Sequence, residues 1–245
     1  MQSTTENIPE ITLGELAVQD IRKTQVFKKY GIDFCCGGGK TVREACAEKG
    51  LDVAKVLQEL GQADNLVASR ALPYNEWPLD FLADYIVNTH HSYVKKNLPE
   101  IRAYAEKVTK VHGDRHPELA TIRQLVQEVQ DELNEHLGKE ERVLFPYIKA
   151  LVAAKTGGQP LTEPGFGTVQ NPIRLMEMEH ELVGKNLARI REISHNYLLP
   201  GDACASYGLL YKLLDAFEED LHLHIHLENN ILFPQALEME KQLKK

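Results

Sequence analysis

Four histidines and two glutamates recur in this chain at spacings that suit metal chelation. His136 and Glu140 stand four residues apart, as do His224 and Glu228. In a helix that separation stacks two side chains one turn apart on the same face, so each pair can reach a common point. Each pair is preceded by a histidine on an earlier segment, His91 for the first and His180 for the second. An internal repeat relates the two sets. His91 to Arg102 aligned with His180 to Arg191, at an offset of 89, gives seven identities in twelve positions. His136 to Glu140 and the Leu144-Phe145-Pro146 that follows match His224 to Glu228 and Leu232-Phe233-Pro234 at an offset of 88. The chain therefore carries two similar helical hairpins, each with a lone histidine on its first helix and a His-x-x-x-Glu pair on its second.

The elements that must position these residues are legible in the apolar pattern. Val129, Leu133, His136, Glu140 and Leu144 form one helical stripe, and Phe217, Leu221, His224, Glu228 and Leu232 form another. Both polar pairs then point into a core. A buried carboxylate costs several kcal/mol unless a countercharge accompanies it, and neither stripe contains Arg or Lys. A metal supplies that charge, and imidazole with carboxylate suits iron, manganese or zinc, with iron preferred here. Two octahedral ions offer about twelve positions, of which four histidines and two bridging glutamates fill about eight. A bridging oxide or hydroxide leaves about one open position per ion, whereas structural zinc takes closed tetrahedral sites. The expectation is a reactive two-metal centre.

The other histidines are expected to stand outside it. His90 aligns with Glu179 rather than with a ligand. His222 and His226 flank His224 at a spacing that turns them toward solvent, and His112 and His116 lie near a helix break in surface or capping positions. Cys35 and Cys36 are adjacent and followed by Gly37-Gly38-Gly39. Glycines there let the backbone turn tightly and keep the thiols accessible, and the pair is expected to serve redox or metal chemistry. The Gly-Gly-Gly-Lys-Thr run is not a phosphate loop, because the opening glycine of that motif would fall at Phe34 and no strand precedes it. Cys46 and Cys204 read as small hydrophobes.

The whole pattern predicts an all-α protein. Residues 1–70 form a small helical domain holding Cys35 and Cys36, two prolines break the stretch from 64 to 78, and 79–245 form an up-down-up-down four-helix bundle. Of 245 residues, 28 are Lys or Arg and 36 are Asp or Glu, a net charge of -8 with no basic stripe, which argues against nucleic acid as a partner. No apolar run approaches the roughly 18–20 residues a membrane span needs. The first residues lack a signal core and four cysteines are too few for a disulfide scaffold, so a cytoplasmic protein with reduced thiols is expected.

The C-terminal part resembles the hemerythrin-like fold, and Asp33-Phe34-Cys35-Cys36 with the glycines and Lys40-Thr41 resembles the small domain that precedes it in the iron-sulfur cluster repair di-iron family. That resemblance implies a di-iron centre on His91, His136, Glu140, His180, His224 and Glu228, and a role for the Cys35 and Cys36 thiols. It implies restoration of clusters damaged by nitric oxide or peroxide, with damaged iron-sulfur proteins or cluster-assembly proteins as partners and the centre as iron source. Nitric oxide or oxygen are its implied small ligands; a homodimer is left open. The set is one histidine short of that described for oxygen-carrying hemerythrins, which disfavours reversible oxygen storage. Two alternatives remain: a nitric oxide or peroxide reductase at the same centre, and a diatomic-gas or redox sensor.

Overall fold

The computed structural model describes residues 10–63, 72–158 and 160–244. Among these the chain is helical and forms no strand, only an isolated antiparallel bridge between Thr12 and Thr41. Its contacts divide it into two compact units. One takes the chain up to Pro78 together with Ile225–Gln235, and the other takes Leu79–His224 with Ala236–Lys245. The sequence boundaries put 79–245 in one domain, whereas by contacts Ile225–Gln235 groups with the first unit. The first nine residues, the expected domain end at residue 70 and the linker as far as residue 71 lie outside the described residues.

The first unit contains α1 (Leu13–Gln19), α2 (Lys23–Lys29), α3 (Val42–Lys49) and α4 (Val53–Ala63). Reciprocal capping boxes start two of them. The Thr12 hydroxyl accepts from the Glu15 backbone N–H while the Glu15 carboxylate accepts from Thr12, and Thr41 and Glu44 do the same for α3. The two caps lie side by side, with Leu13 N–H donating to Lys40 O and Gly14 N–H to Gly38 O, both at 2.8 Å. The loop of Cys35, Cys36 and the glycines is thereby pinned to the start of α1. Leu13, Leu16, Phe27, Val42, Val56 and Leu60 form the core, and burying each large one contributes about 1.5–3 kcal/mol.

Asn230 completes this unit from the Ile225–Gln235 segment. Its carboxamide donates to Phe34 O at 3.4 Å and Cys35 O at 3.3 Å and lies 3.1 Å from His226 Nδ1. Its Oδ1 occupies the space a side chain would need at either of two glycines: an ideal Cβ would come within 2.4 Å of it at Gly14 and 2.3 Å at Gly38. Close approach, rather than turn geometry, is why glycine stands at both.

The second unit is built on long helical runs. The first comprises α5 (Leu79–Ile86), a π-helical turn (Val87–His91) and α6 (Ser92–His112). The second comprises α7 (Glu118–Lys139), a π turn (Glu140–Leu144) and α8 (Phe145–Gly157). Next comes α9 (Gln170–Ile193), and then α10 (Ala205–Leu227), a π turn (Glu228–Leu232) and α11 (Phe233–Leu243). α5 packs on α8 and α6 on α7, so the first two runs are antiparallel, and α9 packs on α7. Arg191 at the end of α9 makes a forked pair with Glu218 of α10 at 2.9 and 2.7 Å, and Tyr147 of α8 donates to Glu240 of α11 at 2.7 Å. This is the expected all-α bundle.

Three of these runs each contain one π turn. In each, a backbone N–H bonds five residues back: Ser92 to Val87, Phe145 to Glu140, and Phe233 to Glu228. Pro146 and Pro234 come one residue after the last two. Proline has no N–H to give and its ring crowds the carbonyl four residues earlier, so a wider turn just before it lets the helix continue. The helix continues through Pro234, and α11 runs on to Leu243.

Gly14→Ala is expected to destabilise the protein by about 1–3 kcal/mol through forced overpacking. Asn230→Ala should relieve part of that loss, so denaturant unfolding of the two single variants and the double variant gives strongly non-additive stabilities.

Candidate metal centre

All six expected residues are buried, with Glu140 and Glu228 at 0% exposure. They fall into two groups of four in which one donor atom per residue lies within 4.8 Å of the others: His91, Glu140, His224 and Glu228, and His136, Glu140, His180 and Glu228. Each group takes two histidines, one from each hairpin, and both share the two glutamates. One oxygen shows the arrangement directly. Glu140 Oε2 lies 3.3 Å from His91 Nε2, a member of the first group, and 3.3 Å from His136 Nε2, a member of the second. His180 Nε2 lies 3.0 Å from His136 Nε2, so those two imidazoles converge on one point.

The helices explain this placement. His136 and Glu140 close α7 and open its π turn, His224 and Glu228 do the same for α10, and His91 ends the π turn before α6. Three of the six donors thus sit within π turns, a form of helix found mainly at functional sites. His180 lies mid-way along the uninterrupted α9.

Two of the histidines are held from behind by carboxylates. His91 Nδ1 bonds Glu141 Oε1 at 2.8 Å, and His136 Nδ1 bonds Glu179 Oε2 at 2.9 Å. A carboxylate accepts, so each imidazole carries its proton on Nδ1 and turns the Nε2 lone pair to the centre. Lys95 grips both oxygens of Glu141 at 2.6 and 2.8 Å, and Lys139 pairs with Glu179. Burial pushes both carboxyls up, but the bonds from Lys95 and His91, and from His136 and Lys139, outweigh it and hold them below the usual range. Sequence reasoning passed over Glu141 and Glu179; the signal was that the repeat does not preserve them. The donor set fits a metal site: neutral nitrogen and carboxylate oxygen, pre-aimed and buried, with Glu140 and Glu228 common to both groups.

Comparison with known proteins agrees with this geometry. Residues 82–236 match the hemerythrin HHE cation binding domain, and residues 9–64 match a domain of unknown function, DUF542. The chain is 36% identical over 231 residues to the iron-sulfur cluster repair protein YtfE of Musicola paradisiaca, covering 94% of this chain and 98% of that one. It is 36% identical to a probable iron-sulfur cluster repair protein of Haemophilus influenzae, covering 92% and 96%, and 34% identical to YtfE of Yersinia pseudotuberculosis, covering 94% and 97%. The chain belongs to the iron-sulfur cluster repair family.

In this family member His226 and His112 depart from expectation, whereas His90 and His116 do not. His90 is buried, bonded through Nδ1 to Asp220 Oδ1 at 3.0 Å and stacked on His224 with ring centroids 5.6 Å apart. His226 was expected to face solvent but is 1% exposed, with its ring 5.8 Å from Phe34. The helix is buried from His224 to Glu228, and by its contacts the stretch from Ile225 onward groups with the first unit, to which Phe34 also belongs. Burial pushes the His226 pKa down to about 4, so it is neutral at pH 7. His112 is also buried, against Tyr207. His116 holds Asp202 and Glu118 through its two ring nitrogens, a surface role as expected. Among the described residues no helix is long and apolar enough to cross a membrane.

The thiol pair differs from expectation in one respect. Cys35 is buried at 4% exposure and only Cys36 reaches the surface. Asp33 Oδ1 accepts from the backbone N–H of both cysteines at 3.0 Å and from the Cys35 thiol at 3.2 Å, so the loop curls around one carboxylate oxygen. Asp33, Cys35 and Cys36 form a third group with donor atoms within 4.8 Å. The hydrogen bond with Cys36, then burial and the Asp33 charge, push the Cys35 thiol well above its ordinary pKa. A raised pKa means less thiolate at a given pH, and thiolate is the reactive form. At pH 8, iodoacetamide should therefore label Cys36 and the exposed Cys204 well before Cys35, with Cys35 labelling rising as pH rises. Peptide mass spectrometry reads the order, and equal rates at Cys35 and Cys36 would contradict it.

Proposed function

We propose that this protein holds two non-haem iron ions on His91, His136, Glu140, His180, His224 and Glu228 and donates that iron in the repair of iron-sulfur clusters damaged by oxidative or nitrosative stress. The observation that carries the reading is the sharing of Glu140 and Glu228 by both four-residue groups, as two bridging carboxylates would be shared by two ions. Family membership supports the cluster-repair role, since relatives covered almost end to end bear that name. Two imidazoles and two shared carboxylates per ion leave coordination positions for water or a small ligand such as nitric oxide or oxygen, which suits exchange better than permanent storage.

Within this reading each group has its task. His91 and His136, held by Glu141 and Glu179, present fixed lone pairs, and Glu140 and Glu228 offset the ions' charge inside the core. Bound iron supplies the transferable metal and its open positions. Cys36, at the surface, with Cys35 and Asp33 beside it, forms a thiol site through which iron passes to a damaged iron-sulfur protein.

Metal analysis of the protein as purified should find about two iron ions per chain. Glu140→Leu and Glu228→Leu should each lose iron while keeping their helical circular dichroism, since an apolar isostere fills the core without a buried charge. The Cys35→Ala/Cys36→Ala variant should keep its iron and fail to reactivate a nitric oxide-treated iron-sulfur dehydratase. Stoichiometric zinc in place of iron would overturn the di-iron reading, and multiple turnovers of nitric oxide or peroxide with a reductant would move the function to a reductase.

A further inference from the structure

A cavity of about 280 Å³ opens at the end of the bundle where α6 gives way to α7 and α9 to α10, and Tyr207, Tyr211, Leu198, Leu199, His116 and Glu118 help to line it. It is remote from the candidate metal centre: His112, the last residue of α6, stands about 30 Å along the helix from His91. Part of its wall is strained. His195, Asn196 and Tyr197 have φ of 51°, 59° and 58°, three successive non-glycine residues in the left-handed region, which such residues enter singly if at all. The turn is tied down at each step. The Asn196 N–H donates to Arg191 O at 2.8 Å, the Tyr197 N–H to Ser194 Oγ at 3.1 Å, and the Tyr197 hydroxyl to Glu218 Oε2 at 2.6 Å. Backbone strain that is held this firmly clusters at ligand clamps and active sites, and Ser194 and His195 line the same cavity.

The lining selects the chemistry of a guest. Tyr207 and Tyr211 are buried edge to face with ring centroids 4.9 Å apart, and their hydroxyls lie 3.2 Å from each other. That bond uses one phenolic proton, and among the described residues the other has no acceptor. Burial pushes both phenols up in pKa, so the proton stays available at neutral pH. His112, its ring 5.4 Å from Tyr207, is 3% exposed, and neither of its ring nitrogens has a partner among the described residues. Buried polar groups left open in this way mark room for a polar guest. The carboxylates nearby are already engaged: Glu118 and Asp202 hold the two nitrogens of His116, and Asp202 also pairs with Arg115 at 2.7 Å. A cationic guest therefore finds no idle countercharge, and an anionic one meets two carboxylates. Leu198 and Leu199, 71% and 44% exposed, offer aliphatic surface at the mouth. An apolar cavity of about 150 Å³ is enough for benzene, so this one takes a single ring with a substituent. We infer that the cavity binds a small neutral monocyclic phenol, its ring against Tyr207, Tyr211 and the two leucines and its oxygen accepting the spare tyrosine proton.

The test titrates the full-length protein as purified with phenol, and separately with benzene, benzylamine and benzoate, and follows the backbone amides of His195 and Tyr211 by nuclear magnetic resonance. Circular dichroism confirms the fold of each variant. Phenol should shift both amides saturably with a Kd of about 1 mM or tighter, and should bind more tightly than the other three. Tyr207→Phe/Tyr211→Phe, which removes both hydroxyls and keeps the rings, should bind phenol about 2–10-fold more weakly and no better than benzene. Leu199→Trp, which fills the mouth, should abolish binding. The absence of saturable phenol binding, or binding that survives Leu199→Trp, overturns the inference. So does tighter binding of benzylamine or benzoate, which would make charge the selecting feature, and so does a double variant that keeps the advantage of phenol over benzene.

Discussion

Two carboxylates with no solvent exposure are what the rest of this structure answers to. Glu140 and Glu228 lie where an uncompensated charge would cost several kcal/mol, a large share of a domain's net stability. The surroundings are arranged to make that placement tolerable in the presence of cations. Four imidazoles converge on the same volume, and two of them are turned inward by carboxylates that lysines keep ionised. The helices on which the glutamates sit are wider than an α-helix at those residues.

That widening links sequence to site. Leu-Phe-Pro follows each glutamate at the same distance, and the proline needs relief from the carbonyl four residues before it. A π turn begins at each of these glutamates. In the fourth helical run the same turn also carries Asn230, whose carboxamide is bonded to the carbonyls of Phe34 and Cys35 and wedged between two glycines. The segment after Glu228 consequently belongs to the first unit by its contacts, and the loop of the thiol pair is held to the helix that bears Glu228.

The bundle keeps its symmetry in the ligands and loses it in the residues around them. A duplicated hairpin would begin with both. What survives in both halves is the set whose donor atoms converge, and what differs is the residue at the positions aligned with Lys95, Lys139, Glu141 and Glu179. Residues there set how firmly a donor is aimed rather than whether it is present, so they can diverge without destroying the centre. One buried side chain, His90, illustrates the exchange: at the position of a carboxylate it puts an aromatic ring against a ligand.

The sequence by itself determined the helical class and singled out the six candidate donor residues, because helical periodicity and an internal repeat are local properties that survive without coordinates. His136 with Glu140 and His224 with Glu228 were legible from a spacing of four, and His91 with His180 from twelve aligned positions. Only the tertiary structure decided the rest. The sharing of both glutamates, the support of His91 by Glu141 across 50 residues and of His136 by Glu179 across 43, and the burial of Cys35 and His226 depend on contacts between distant segments. Periodicity assigns each helix one buried face; it gives no sign that residues 224–228 are all buried. By its contacts the stretch from Ile225 onward groups with residues nearly 200 positions away, such as Phe34 beside Asn230, and no local rule carries information over that distance.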